Sequence, residues 1–411
     1  MNSTQTLPLV VQKFGGTSVG SLDRILRVAE IIRDTLPDQR NVVVVSAMAG
    51  ETNRLVEMAN SLSSSPNPEA LDLLLASGEQ VSCSLLSIAL SSLGILNKPL
   101  LAFQAGIFTT SDSTRATIEK INSESLTRLL SQGIVPIIAG FQGISEKNGT
   151  LQVTTLGRGG SDTSAVALAA ALKAFRCDIF TDVEGVYTAD PRLVSDAQFI
   201  EKISYEEMME LASLGAKVLH MRSVELAAKF QVRLRVLSTF NPKGKGTLIM
   251  KGDEILESPV VSAVTADQPE SLLGLKVAKE IGSKPSLFFT PLANDGINVD
   301  VIVKSAPDSS GTTTLSFTVP RGQAKKAQDL LSKYEPWVES ESLVKISVVG
   351  IGMRTHSGVA SKMFETLESA EIPIRLITTS EIKISVMIDE IHRRKALQAL
   401  HQAFGLDIPQ S

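Results

Sequence analysis

Lys13-Phe14-Gly15-Gly16-Thr17-Ser18 sets a cation and two glycines between the apolar run Leu9-Val10-Val11 and a helical stretch beginning at Leu22. A strand ending in paired glycines ahead of a helix aims backbone N–H groups and the positive helix end at one point, which suits an anion. The lysine precedes the glycines. A Walker A loop carries it after them, and a dinucleotide fingerprint needs Gly-x-Gly-x-x-Gly, so neither pattern fits. Taken alone, the segment also reads as a strand-to-helix turn that uses glycine for positive φ.

A second helix start dressed with glycines is Gly157-Arg158-Gly159-Gly160-Ser161-Asp162-Thr163, running into the Ala-rich stretch Ala165 to Ala174. Arg158 offers a planar, bidentate donor for a carboxylate, and Ser161 and Asp162 are natural caps for the first turn. A third segment runs from Thr181-Asp182 through Tyr187-Thr188-Ala189-Asp190-Pro191-Arg192 and follows a strand end. Tyr187 suits a base and Arg192 a phosphate; the plainer reading is a turn-rich, solvated loop. Weaker candidates are Ser46-Ala47-Met48, Ser77-Gly78-Glu79 and Lys217 of Gly215-Ala216-Lys217-Val218, for which end caps and a surface lysine are the plain alternatives.

Together the segments supply two glycine-lined helix ends, a lysine, two arginines and carboxylates, which fits two anionic ligands in one cleft. Phosphoryl transfer from ATP to a small acid is the economical chemistry, because it depends on positioning and charge neutralisation. An acceptor carboxylate, with a reference pKa of about 3.9 to 4.3, is already ionised at neutral pH and needs no general base. None of these motifs has a histidine beside it in the manner of an acid–base pair.

The elements that must position these residues follow from periodicity. Over about the first 240 residues, short β-branched runs alternate with helical periods, which predicts a mostly parallel sheet covered on both faces. Strands are expected at Val10 to Lys13, Asn41 to Ser46, Ile134 to Ala139, Asp178 to Thr181 and Arg233 to Leu237. Helices are expected at Leu22 to Thr35, Asn53 to Leu62, Glu69 to Leu93, Ser123 to Gln132, Ser161 to Ala174, Tyr205 to Ser213 and Arg222 to Phe230. The Lys-, Gly- and Pro-rich stretch Pro242 to Pro259 reads as a linker. Beyond it a helix-then-strand rhythm recurs, helix Leu287 to Asp295 before strand Ile297 to Val301 and helix Val359 to Ala370 before strand Ile372 to Leu376. The alternating strands Thr314 to Val319 and Lys383 to Ile388 follow, making a duplication of roughly 70 residues per copy. Two small α/β units side by side would leave sheet edges that need pairing within or between chains.

The chain has 411 residues, and its 40 basic against 44 acidic residues give a net charge of −4, which provides no footprint for nucleic acid. Met1 to Pro8 lacks a signal pattern, and no uninterrupted apolar run reaches the roughly 18 residues of a membrane helix. A cytoplasmic protein that meets no membrane is expected. Cys83 and Cys177 sit in apolar surroundings and read as reduced core residues; His220, His356, His392 and His401 have no metal-ligand spacing, so no metal site is expected.

In combination, Lys13 to Ser18, Gly157 to Thr163 and Tyr187 to Arg192 closely resemble the aspartokinases of the amino-acid kinase superfamily, and the resemblance spans nearly the whole chain. It implies a three-layer α/β kinase domain with a mostly parallel central sheet over residues 1–245. Two ACT-like βαββαβ regulatory domains would follow over 260–335 and 343–411. It further implies an ATP-dependent kinase making 4-phospho-L-aspartate at the entry to lysine, threonine and methionine biosynthesis. By motif, Lys13, Phe14, Gly15, Gly16, Ser18 and Ser46 resemble the phosphate side, with Lys13 as the transition-state cation. Thr181, Asp182, Tyr187, Arg192, Lys217 and Val218 resemble the rest of the nucleotide site. Thr52, Glu79, Arg158, Gly159, Gly160 and Ser161 resemble the aspartate site, with Glu79 pairing to the substrate ammonium and Arg158 to a carboxylate. Asp162 would hold catalytic lysines in place. Mg²⁺ is implied, held mainly by the phosphates, as is a homo-oligomer, dimer or tetramer, formed through the ACT-like domains.

The first ACT-like loop departs from type. Ser283-Lys284-Pro285-Ser286 stands where the family commonly has Asp-Lys-Pro-Gly, and Lys304 stands where a polar amide is usual. The second loop, Gly350 to Gly358, and Thr379-Ser380-Glu381-Ile382 stay close to type. Weakened or altered feedback by lysine or threonine is therefore expected. A sister kinase acting on glutamate, N-acetylglutamate or UMP, and a silent amino-acid sensor, are the alternatives; Glu79 with the paired ACT-like units speaks against the first, and intact Lys13, Arg158 and Asp162 against the second.

Overall fold

The computed structural model describes residues 7–147, 149–214, 218–255, 259–354 and 356–408. They form two compact units: described residues within Met1–Val186, Phe199–Ser213 and Lys217–Glu257 make the first, and those within Tyr187–Gln198, Leu214–Ala216 and Ser258–Ser411 the second.

In the first unit the order begins β1 (Leu9–Phe14), α1 (Leu22–Thr35), β2 (Arg40–Val45), α2 (Glu51–Leu62), α3 (Pro68–Ser92), β3 (Asn97–Leu100), β4 (Ile107–Thr109) and β5 (Ile118–Ile121). It continues α4 (Glu124–Ser131), β6 (Val135–Ala139), β7 (Gln142–Lys147), β8 (Thr150–Thr155), α5 (Gly160–Ala171) and β9 (Arg176–Thr181). Helices Tyr205–Ser213 and Met221–Phe230, strands Phe199–Ile200, Lys202–Ser204, Leu234–Ser238 and Thr247–Met250, and the 3-10 turn Gly252–Glu254 follow. The eight-stranded sheet runs Lys202–Ser204, Thr247–Met250, Leu234–Ser238, β9, β1, β2, β6, β3. It is parallel except where Thr247–Met250 meets Leu234–Ser238. The unbroken valines of β2 suit this setting, since a central parallel strand is covered on both faces.

Alternation along the strands divides the layers. Phe14, Val43, Val45 and Ile137 pack with Ile25, Val28, Ile32, Leu86 and Leu90 of α1 and α3. Lys13 turns to the opposite face, where α5 lies. The 25-residue α3 is the longest helix described, and it carries two buried carboxylates, Asp72 and Glu79. Cys83 and Cys177 are both free and buried, as expected.

Three expectations need correction. Thr247-Leu248-Ile249-Met250, placed in the linker, is a strand of the main sheet: pairing with Lys202–Ser204 and Leu234–Ser238 holds it there, which four residues among glycines and lysines do not reveal. A four-stranded sheet, β5-β4-β7-β8, was not anticipated, because its short, polar strands such as Gln142–Lys147 and Thr150–Thr155 carry little hydrophobic alternation. Ile297 and Val301 are buried core residues, but the ladder starts only at Ile302, and likewise at Leu376 rather than Ile372.

The second unit joins both duplicated halves in one seven-stranded sheet. Ile302–Lys304, Thr312–Pro320 and Glu270–Ala278 come from the first half; Lys383–Asp389 and Leu376–Thr379 come from the second. The 13-residue strand Trp337–Val349 runs between them and pairs with both sides, so the edges expected to need partners are largely satisfied within the chain. Ala263–Ala266, ahead of the first half in sequence, also pairs with Trp337–Val349 at its Ile346–Val349 end. Its neighbour Val261 and its own Val264 pack in the second half's core with Val344, Met363, Leu367 and Leu400. Ala189 and Val194 of Tyr187–Gln198 are buried in the same core. There Thr188 Oγ1 lies 2.8 Å from Nε2 of the buried His401, whose imidazole pKa is held down by burial.

Candidate active site

The chain passes from β1 to β2 on one side while β9 lies on the other, so a crevice opens beyond the carboxyl ends of these strands. Register brings the ends together: Phe14 sits opposite Val45 and Phe180, and Ser238 opposite Thr181. The Phe14 and Phe180 rings stack at 4.6 Å. Gly15 N–H donates to Phe180 O (3.1 Å), Ala49 N–H to Gly16 O (3.1 Å), and Thr239 N–H to Thr181 O (2.9 Å), tying these turns to one another.

Neither Gly15 nor Gly16 has positive φ, so the strand-to-helix turn does not need glycine for that reason. Close approach is the reason for Gly16: a Cβ there would lie 2.9 Å from Ala47 O, a backbone atom with no freedom to swing away. Gly16→Ala is expected to lower stability by about 1–3 kcal/mol and to reduce kcat, read from urea midpoints and initial rates. Wild-type values of both would refute the packing argument.

Lys13, 8% exposed, extends from β1 to place Nζ 2.6 Å from Asp162 Oδ1. Asp162 stands in the first turn of α5, where the helix dipole favours an anion. The capping expectation is corrected here. Gly159, at φ 69°, is the N-cap, no side-chain cap forms, and Ser161 and Asp162 lie inside the helix. Positive φ is needed at Gly159 and Gly157, and a Cβ on Gly159 would strike the His220 ring at 2.2 Å. Arg158, between them, is exposed and has no ion-pair partner among the described residues. Ser161 is 7% exposed and packs against Gly140.

Glu79 comes from α3, on the other layer, and meets the turn that follows β2. It is 3% exposed, and its Oε1 accepts from Ala47 N–H at 2.9 Å, while Oε2 is buried with no hydrogen-bond partner in the described structure. Burial raises the carboxyl to about 7, against the opposing pull of the Ala47 hydrogen bond and the Lys13 charge. A buried carboxylate oxygen left open suits a ligand ammonium. Thr52 stands partly buried in the first turn of α2.

Ser18 is 1% exposed, and its hydroxyl bonds Thr239 Oγ1 at 2.6 Å. Ser46 N–H donates to Phe14 O at 3.1 Å. Thr181 ends β9 and bonds the exposed Asp182 (3.1 Å). Tyr187 and Arg192 belong to the second unit, where Arg192 forks onto Asp190 at 3.0 and 2.8 Å and holds that carboxyl below its usual range. Val218 is partly buried, and Lys217 lies outside the described residues.

Residues that the sequence did not single out also shape the site. Phe141 has φ 67°, a strained conformation for a bulky residue; its N–H donates to Ser164 Oγ and its carbonyl accepts from Leu156 N–H. No local signal marks it. Asp72 and Glu79, seven residues apart, do carry one: they share a face of α3.

Residues 8–238 match the model of the amino acid kinase family, and 346–404 match an ACT domain. The aspartate kinase of Pseudomonas putida is 44% identical over 411 residues, covering 98% of this chain and 99% of that protein. This chain belongs to the aspartokinase family. Escherichia coli aspartokinase III in complex with aspartate and ADP, an R-state structure, has TM-score 0.75 at 28% identity, covering 96% of this chain and 99% of that one. The T-state structure of the same enzyme, with lysine and aspartate, has TM-score 0.79 at 28% identity and covers the same shares. The chain is accordingly an aspartate kinase, an ATP-dependent phosphotransferase acting on aspartate, with a largely parallel kinase sheet and a C-terminal ACT region.

Proposed function

We propose that this aspartokinase moves the γ-phosphoryl group of ATP onto the side-chain carboxylate of L-aspartate, giving ADP and 4-phospho-L-aspartate. The bond from phosphorus to the bridging oxygen of ADP breaks as one to a carboxylate oxygen forms, and no proton need leave the acceptor. The buried Lys13–Asp162 pair is the observation that carries this reading. Lys13 neutralises charge on the moving phosphoryl group, and Asp162 aims its ammonium. Phe14, Gly15, Gly16 and Ser46 shape the phosphate turn, with Ser18 bracing it from beneath through Thr239. Glu79 takes the substrate ammonium on its open Oε2, Arg158 takes a carboxylate, and Thr52, Gly159, Gly160 and Ser161 line the aspartate side. Thr181, Asp182 and Val218 serve the nucleotide, as does Lys217 by motif.

Mg²⁺ chemistry fits a site of this kind when the ion arrives on the phosphates: among the described residues no cluster of three His, Cys, Asp or Glu could hold it. It would supply charge neutralisation between phosphates. Kinase residues 1–245, ACT-like domains at 260–335 and 343–411, a cytoplasmic location and a dimer or tetramer formed through the ACT-like region complete the proposal. The half-exposed Ile302 and Val303 on an edge strand support the oligomer.

The E. coli relative binds lysine in its T-state structure. In this chain Ser286 opens the helix Ser286–Asn294 where the family's glycine is usual, and Lys304 stands exposed on the edge strand, so feedback by lysine or threonine is weakened or altered. A coupled assay should show ADP release with aspartate, and none with glutamate, N-acetylglutamate or UMP. In the same assay neither lysine nor threonine is expected to inhibit at sub-millimolar concentration. Turnover with another acceptor, or strong inhibition, would overturn the corresponding half of the proposal.

A further inference from the structure

Asp72 lies two helical turns before Glu79 on the same face of α3 and is fully buried. The two carboxylates are used differently. Glu79 keeps one oxygen open, whereas Asp72 accepts from Thr114 N–H with both oxygens (2.9 and 3.2 Å) and from Thr155 Oγ1 at 2.5 Å. Thr155 is the last residue of β8, two positions before the Gly157-Arg158-Gly159-Gly160 turn. Thr114 sits at φ 66°, a strained conformation for threonine, and its carbonyl abuts Gly157 so closely that a Cβ there would lie 3.1 Å away.

Arg222 holds the same junction from the helix Met221–Phe230. Its guanidinium donates to Leu156 O at 2.6 Å and to Ala116 O at 2.9 Å, and Ala116 N–H donates to Thr155 O at 2.9 Å. The residues just before Arg158 and the 114–116 turn are thus stapled together, by a buried anion from α3 and a cation from the other side. Arg158 itself has no ion-pair partner among the described residues, so the stapled backbone alone sets where its fork begins. A displacement of about 1 Å in such a clamp is enough to lose most of its positioning effect.

We propose that Asp72 is a positioning residue for aspartate binding: by fixing Thr114 and Thr155 it sets the starting point of the Arg158 side chain. Asp72 touches no substrate. The inference rests on the reading of Arg158 as the aspartate carboxylate clamp.

Asp72→Asn keeps the shape but turns an N–H group toward the Thr114 N–H. It is expected to raise KM for aspartate about tenfold while KM for ATP stays within about twofold. Thr155→Val, which removes only the hydroxyl bond, should shift aspartate KM in the same direction by about threefold, and it decides the matter if Asp72→Asn does not fold. Thermal midpoints measured in parallel separate the roles, since loss of folded enzyme lowers apparent kcat without moving KM. An unchanged aspartate KM, or equal rises for both substrates, would overturn the assignment. Arg158→Ala serves as the reference. If it leaves aspartate KM unchanged, the clamp reading itself fails; if it raises KM while both Asp72→Asn and Thr155→Val do not, only the positioning role fails.

Discussion

Lys13→Ala is expected to lower kcat by about 10²–10⁴-fold while KM for ATP changes little. The ammonium, held 2.6 Å from Asp162, is aimed before substrate arrives, so its charge counts most when the phosphoryl group is in transit. The substitution also leaves Asp162, whose side chain is 13% exposed, without its partner, and a broken buried pair is destabilising. Lys13→Ala/Asp162→Asn therefore separates the two effects: the thermal midpoint should recover while kcat stays low. A tenfold rise in ATP KM at unchanged kcat would show that Lys13 binds the nucleotide rather than the transition state.

The pH dependence of aspartate capture is the second large effect. With the free enzyme's Glu79 at about 7, its open oxygen is protonated below that pH and cannot pair with an ammonium. The kcat/KM for aspartate should fall about tenfold per pH unit below 7, while binding of a nucleotide alone stays flat across the same range. Glu79→Gln should abolish this step and lower kcat/KM by about 10²-fold at pH 8. The sign for stability is opposite. A raised folded-state pKa favours the folded form while the group is protonated and withdraws that support as pH rises from the ordinary 4.5 through 7. Glu79→Gln should therefore raise the thermal midpoint at pH 8 more than at pH 5; an equal change at both would mean that Glu79 is not the titrating group.

The chemistry was legible wherever it was local. Lys13 with Gly15-Gly16 and Arg158 between glycines stand out because backbone approach and charge leave their mark within a few residues. The parallel sheet was also legible, since runs such as Val42 to Val45 tolerate no solvent-facing side. What escaped depends on distant pairing. Thr247–Met250 is a strand because Leu234–Ser238 and Lys202–Ser204 accept it, and nothing inside its four residues announces that. Asp72 is visible only as an acid seven residues from Glu79; that it secures Thr114 and Thr155 depends on chain segments 42 and 83 residues away. The strain at Phe141 left no trace in the sequence, because phenylalanine in an apolar stretch has no reason to be read as left-handed.

Tyr187–Gln198 has a consequence for how such enzymes can be recombined. Its Ala189 and Val194 fill the core of the ACT region, and its Thr188 bonds the imidazole of His401. In sequence the ACT region starts after the kinase; in three dimensions part of its interior is encoded some 60 residues earlier, as Val194 precedes Ser258 by 64 positions. A graft that exchanges only the C-terminal region would carry over a receptor with foreign plugs in its core and a histidine facing an unselected neighbour. The heritable module is a discontinuous one, and a working hybrid would have to carry this twelve-residue loop along with the tail it supports.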